Sequence, residues 1–202
     1  AGPIRGSGIT QIWIAAGTHK PVRSGNNRDD AFVLVPGVTL YGGFVGNESQ
    51  LEQRNPAVNI TFLSGDLNDN DGAPGTFTGI SENSRHVITA INFAPGAAQA
   101  VLDGFTIRGG NADFNPNDLL GGGGLFVQSA PVAVRNCRFE ANSAGLDSPN
   151  IGGFGGAIYN FAGNLAANDC VFFRNRGNGG GALGARNNGS GGMRSTITHC
   201  PF

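Results

Sequence analysis

Four segments of the chain align on one another without gaps: Val101 to Ile107, Ala133 to Phe139, Ala166 to Phe172 and Thr196 to Phe202. Their starts lie 32, 33 and 30 residues apart, a period at which chains build stacked architectures. Each segment ends on alternating small or apolar residues, Phe105 and Ile107, Cys137 and Phe139, Cys170 and Phe172, Cys200 and Phe202. That is the two-residue period of a strand. Ahead of each pair stands a polar or glycine break: Asp103-Gly104, Arg135-Asn136, Asn168-Asp169 and Thr198-His199. Gly, Asn and Asp tolerate bends that bulkier residues resist. Ahead of each break is one more apolar position, Leu102, Val134, Ala167 or Ile197.

A second element lies between these segments. Gly123-Gly124-Leu125-Phe126-Val127, Gly155-Gly156-Ala157-Ile158-Tyr159 and Gly180-Gly181-Ala182-Leu183-Gly184 follow one another at 32 and 25 residues. The unit therefore reads as short strand, tight bend, short strand, glycine-rich corner, short strand. One such unit cannot bury its inward face, but copies stacked about 4.8 Å apart pair strand to strand around a continuous core. The expected fold is all-β, a right-handed parallel β-helix of about six or seven coils. Its interior should hold one ladder of Phe105, Cys137, Cys170 and Cys200 beside another of Ile107, Phe139, Phe172 and Phe202. An antiparallel sandwich of short strands is the alternative.

Residues 1–99 repeat less clearly than 100–202, yet use the same vocabulary. Candidate strands there are Gln11 to Ala15, Ala31 to Val35, Val38 to Tyr41, Ile60 to Leu63 and His86 to Asn92. By alternation Trp13 and Tyr41 face inward. No composition shift marks a boundary, so residues 1–202 are expected to form one domain.

Composition supports this architecture. With 35 Gly and 10 Pro among 202 residues, long helices and the crossovers of a doubly wound α/β sheet are disfavoured. The glycines lack the every-third-residue period of collagen. A net charge of -1 with 13 Lys plus Arg offers no electrostatic footprint for nucleic acid. No apolar run is long enough to span a membrane. Ala1 to Ile4 lack the charged and apolar regions of a leader, which reads as a mature or excised chain.

The segment Gln11 to Thr18 with Lys20-Pro21, then Gly37 to Phe44, Thr61 to Asp66, and Leu102 to Ile107 with Gly109 to Ala112, are joined by the Gly-Gly-Ala-Ile-Tyr-Asn and Asn-Cys-x-Phe units. Together they resemble right-handed parallel β-helix proteins of the polymorphic outer-membrane-protein type. The resemblance covers nearly the whole chain in the same order. It implies a bacterial surface or secreted protein of adhesive or structural character, without a shared catalytic motif.

Candidate sites are few. The three cysteines are spaced like the repeat and not like a CxxC metal site, so they read as small core residues, with a disulfide between rungs as the alternative. The densest set of oxygen ligands is Asp66 to Gly72, from which Asp66, Asn68, Asn70 and Asp71 could form an irregular calcium loop. It lacks the ligand spacing and terminal Glu of an EF-hand. The glycine runs 121–124 and 152–156 lack the GK[ST] ending of a phosphate loop and read as corners.

These features point to a non-enzymatic extracellular or cell-surface protein, structural or adhesive, without a required cofactor. Its partners would be other copies of itself, joined end to end into filaments, other surface or matrix proteins, or carbohydrate. The enzymatic alternative is a polysaccharide lyase or glycosidase on the same scaffold. A glycosidase needs two facing carboxylates, and a lyase needs clustered Asp with an Arg or Lys base on a neighbouring rung.

Overall fold

The computed structural model describes residues 8–21, 27–113, 121–145, 154–189 and 192–202. Residues 1–4 and glycines 152 and 153, read above for a leader and a corner, lie outside them. The first turn of chain comprises β1 (Gln11–Ala15), β2 (Gly17–His19) and β3 (Phe32–Val33). The second comprises β4 (Thr39–Phe44), β5 (Thr61–Ser64) and β6 (Ile88–Ile91). From the third turn a further short strand enters, giving β7 (Ala100–Asp103), β8 (Thr106–Arg108), β9 (Asn111–Ala112) and β10 (Leu125–Gln128). The fourth turn is β11 (Pro131–Arg135), β12 (Arg138–Glu140), β13 (Ser143–Ala144) and β14 (Ile158–Phe161). The fifth is β15 (Asn164–Asn168), β16 (Val171–Phe173), β17 (Arg176–Gly177) and β18 (Leu183–Arg186), after which β19 (Arg194–Thr198) opens a sixth.

Equivalent strands pair in parallel from turn to turn. Sheet I runs β1-β4-β7-β11-β15-β19, sheet II β2-β5-β8-β12-β16, sheet III β9-β13-β17 and sheet IV β3-β6-β10-β14-β18. The chain is thus a parallel β-helix. The described residues make five full turns and begin a sixth, at the low end of the six or seven expected, because much of the first half is spent on excursions between strands and not on further turns. Sheets I and II run without a break through both halves.

The repeat aligned in the sequence is the register of sheet I: Val101, Ala133, Ala166 and Thr196 are successive partners. In the glycine-rich element one step differs by a residue, since Leu125 pairs with Ile158 and not with Ala157. Consecutive glycines and alanines carry no side chain that would mark the phase. The bends fall where the polar breaks stand: Gly104, Asn136, Asp169 and His199 all have left-handed backbone, with φ of 83, 50, 55 and 51°.

Inside, Leu40, Leu102, Val134, Ala167 and Ile197 form one column in register. Leu63, Ile107, Phe139 and Phe172 form another. Its rings stack, with centroids 5.4 Å apart for Phe139 and Phe172 and 5.2 Å for Phe172 and Phe202, although Phe202, expected inside, is 76% exposed. Phe105, Cys137 and Cys170 are buried beside them, and Cys200 is half-buried. The inward reading of Trp13 and Tyr41 fails. Trp13 is 37% exposed and stacks on Phe44, Tyr41 is its register partner on the same outer face beneath the Arg54 guanidinium, and Ile14 and Leu40 face the core instead. The run Ile12 to Ala15 is apolar throughout, so alternation alone could not fix which set points inward.

All three thiols are free. Burial pushes the Cys170 thiol up to about 12 and raises Cys137 as well. Because the thiolate is the reactive form, a disulfide reagent at mildly alkaline pH should leave Cys137 and Cys170 unmodified in the native protein and label both after denaturation. Mass-mapped labelling of either one in the folded state would contradict this packing.

A ladder of asparagines closes the corner between sheets II and III. Asn142 is fully buried. Its Oδ1 accepts from the Gly110 N–H at 3.1 Å, and its Nδ2 donates to Ile107 O and to Asn175 Oδ1, both at 3.0 Å. One turn on, Asn175 Nδ2 donates to Phe139 O at 2.9 Å. The glycine runs serve the same corner. A Cβ on Gly123 would lie 2.4 Å from Ser143 O, and a Cβ on Gly156 would lie 2.2 Å from Arg176 O. Backbone there packs directly on backbone, which leaves space only for glycine.

Candidate functional site: an acidic clasp beside an arginine face

Between β5 and β6 the chain leaves the stack for an excursion that begins at Gly65 and returns through a 3-10 turn, Ile80–Glu82. The two ends of this excursion meet. Carboxylate oxygens of Asp66, Asp71 and Glu82 lie within 4.8 Å of one another, and among the described residues no other group of three His, Cys, Asp or Glu side chains is so gathered. Asp66 also shapes its own loop, accepting the N–H of Asn70 at Oδ1 (3.2 Å) and that of Asp71 at Oδ2 (3.3 Å). The far side is pinned by Lys20, which pairs with Asp69 at 2.7 Å and donates to Leu67 O.

Burial sets the character of Asp71. Its carboxyl is pushed up to about 6 by burial, with repulsion from Asp66 and Glu82 adding to the rise, while the Asn83 hydrogen bond and the Arg108 charge oppose it. The side-chain amide of Asn83 donates to both Asp71 oxygens, at 3.0 and 2.9 Å. Of the four residues named from the sequence, the structure gathers Asp66 and Asp71, whereas Asn68 and Asn70 are exposed. Glu82 was missed because it lies beyond the dense Asp/Asn run. Its one signal was an acidic residue placed just ahead of a candidate strand.

Next to the clasp, the outer face of sheet II and the corner after it carry arginines laid over aromatic rings. Arg108 lies 4.2 Å from the Phe62 centroid. Phe173, 37% exposed, has Arg138 at 4.5 Å and Arg174 at 4.7 Å. Arg176 lies 4.5 Å over Phe77, and Arg174 donates to Pro74 O at 2.7 Å, so the excursion is docked onto this face. Pro74, Gly75, Phe77, Arg174, Asn175 and Arg176 line a shallow cleft there. Only Glu140, paired with Arg138 at 2.6 Å, offsets the positive charge within the strands themselves.

The arginine of the Arg135-Asn136 break lies elsewhere. Arg135 is exposed at the end of β11, in register with Asp103 and Asn168, and Asp103 is paired with Arg54. The acidic clasp is tighter than the roughly 5 to 10 Å that separates a glycosidase pair. Stacking over a ring holds a guanidinium in one plane and lowers the entropy lost when it pairs with a carboxylate or sulfate. Comparison of the chain with protein-family models, with curated proteins and with solved structures finds no match.

Proposed function

We propose that the chain is a non-enzymatic adhesive segment of an extracellular or cell-surface β-helix protein, and that it holds an acidic polysaccharide along the arginine face of sheet II. The observation that carries this reading is the row of guanidinium groups of Arg108, Arg138, Arg174 and Arg176, each over an aromatic ring. A chain of net charge -1 concentrates its cations where flat, oriented donors can meet a repeating row of carboxylates or sulfates. The resemblance to surface β-helix proteins supports the same setting. Association of copies end to end through strand edges belongs to this reading too.

Retention on immobilised polygalacturonate or heparin, compared with neutral dextran, tests it. The protein should be retained on the acidic polymers and released by salt, and an Arg138→Ala/Arg174→Ala variant of native circular dichroism should bind at least about tenfold more weakly. Equal retention on dextran, or unchanged binding by the variant, would overturn the reading.

A lyase is the second reading, favoured by one observation. Arg108, one rung from Ser64 of β5, sits close enough to the clasp for its charge to act on Asp71. The same polymers incubated with the protein separate the two: unsaturated sugar product that disappears in Arg108→Ala would make the protein an enzyme.

A further inference from the structure

We propose that Asp66, Asp71 and Glu82, with the side-chain oxygen of Asn83, form a calcium site that clasps the two ends of the 65–83 excursion.

Two independent features of the structure meet here. One is the spacing of the carboxylates. Calcium binds oxygen at about 2.3 to 2.6 Å, so two ligands on opposite sides of one ion stand at most roughly 5 Å apart. The three carboxylates, within 4.8 Å of one another, already satisfy that limit. Magnesium, at about 2.0 to 2.1 Å and with a stricter octahedral demand, would require them to close further.

The other feature is a pair of buried oxygens without partners. Asn83 is fully buried, yet its Oδ1 accepts no hydrogen bond, and Glu82 Oε1 is likewise enclosed and unpaired. Buried polar atoms are nearly always satisfied, and an orphan asks for an explanation. Both orphans belong to the clasp. Glu82 supplies one of its carboxylates, and the Asn83 amide rests against Asp71 through Nδ2. Turning that amide end for end exchanges a donor for a carbonyl oxygen facing the carboxylates. A cation at their centre then receives the Asn83 oxygen and Glu82 Oε1 together, and it neutralises acidic groups that lack a direct ion pair among the described residues.

Sequence positions fit a clasp. Asp66 and Asp71 sit at the start of the excursion, and Glu82 and Asn83 at its return, with the Asn83 backbone held by Arg28 Nε at 2.7 Å. Closing this base fixes a loop whose tip, Pro74 to Phe77, carries contacts to Arg174 and Arg176.

Calorimetric titration of the chelator-treated protein with calcium chloride should give a saturating one-site heat. The melting temperature should rise by about 5 to 10 °C at a hundredfold excess over the dissociation constant, with a smaller rise for magnesium. Glu82→Gln, which keeps the shape of the side chain, should weaken calcium binding at least tenfold, and Asp29→Asn, between β2 and β3, should not. Absence of heat in the unmodified protein together with an unchanged melting temperature would overturn the site without recourse to any variant. So would full calcium response in a folded Glu82→Gln protein. Neither result bears on polysaccharide retention by the arginine face.

Discussion

Asn142→Ala should lower the unfolding free energy by about 3 to 5 kcal/mol. The substitution leaves the Gly110 N–H, the Ile107 carbonyl and one lone pair of Asn175 without partners in a fully buried corner, and each buried orphan costs about 1 to 3 kcal/mol. Asn142→Asp should cost about as much, because a carboxylate cannot donate to Ile107 O and repels Asn175 Oδ1. Asn142→Leu fills the volume but strands the same backbone groups. Asn164→Ala, an exposed change on sheet I, should stay within about 0.5 kcal/mol. Urea unfolding followed by circular dichroism reads all four. In a stack of turns each unit leans on its neighbours, so a shallower transition in Asn142→Ala would mean that the turns on either side of it had uncoupled. A loss below about 1 kcal/mol would show that the ladder satisfies itself through water and contributes little.

The sheet I and sheet II ladders could be read from the sequence because the positions that repeat are those that must be alike. An inward residue in a stacked column touches its equivalents above and below, so Leu102, Val134 and Ala167, or Ile107, Phe139 and Phe172, reveal themselves by spacing alone. The bends at Gly104, Asn136, Asp169 and His199 were legible for a related reason, since most of those residue types accept left-handed backbone. Other corners were not legible. Ala141 and Arg174, and Ser129 and Ala162, hold φ of 52, 52, 48 and 56°, although neither alanine nor arginine advertises that conformation. There the stacked ladders on both sides impose the turn.

The clasp was half legible. A local window finds Asp66 and Asp71, but nothing local says that a chain leaving β5 returns with Glu82 and Asn83 against its own starting point. Excursions make their contacts through tertiary partners with no period. Arg28 and Arg85 both pair with Asp113, and neither shares a repeat position with it. The outward face of β1 failed for the opposite reason: Ile12 to Ala15 is apolar at every position, and tertiary packing chose the phase.

Arg54 gives the second large effect. It comes from the excursion between β4 and β5, and its side chain ties the second turn of the stack to the third. Nη1 donates to Gly42 O at 3.2 Å and to Asp103 O at 3.3 Å, and Nη2 pairs with Asp103 Oδ1 at 2.8 Å. The same Oδ1 accepts from Asn136 Nδ2 at 3.1 Å, and the guanidinium lies 4.9 Å over the Tyr41 ring. The two charged side chains are 15% and 10% exposed, so removing one leaves the other largely enclosed without a partner. Arg54→Ala and Asp103→Ala should each cost about 3 to 5 kcal/mol. Arg54→Ala/Asp103→Ala should cost much less than the sum, because neither charge is then left enclosed without its partner. A double-mutant cycle measured by urea unfolding should therefore return a coupling of at least about 2 kcal/mol. A coupling under about 0.5 kcal/mol is the value of a solvated surface pair, and it would mean that water reaches Asp103 and that backbone ladders alone join the irregular first half to the regular second.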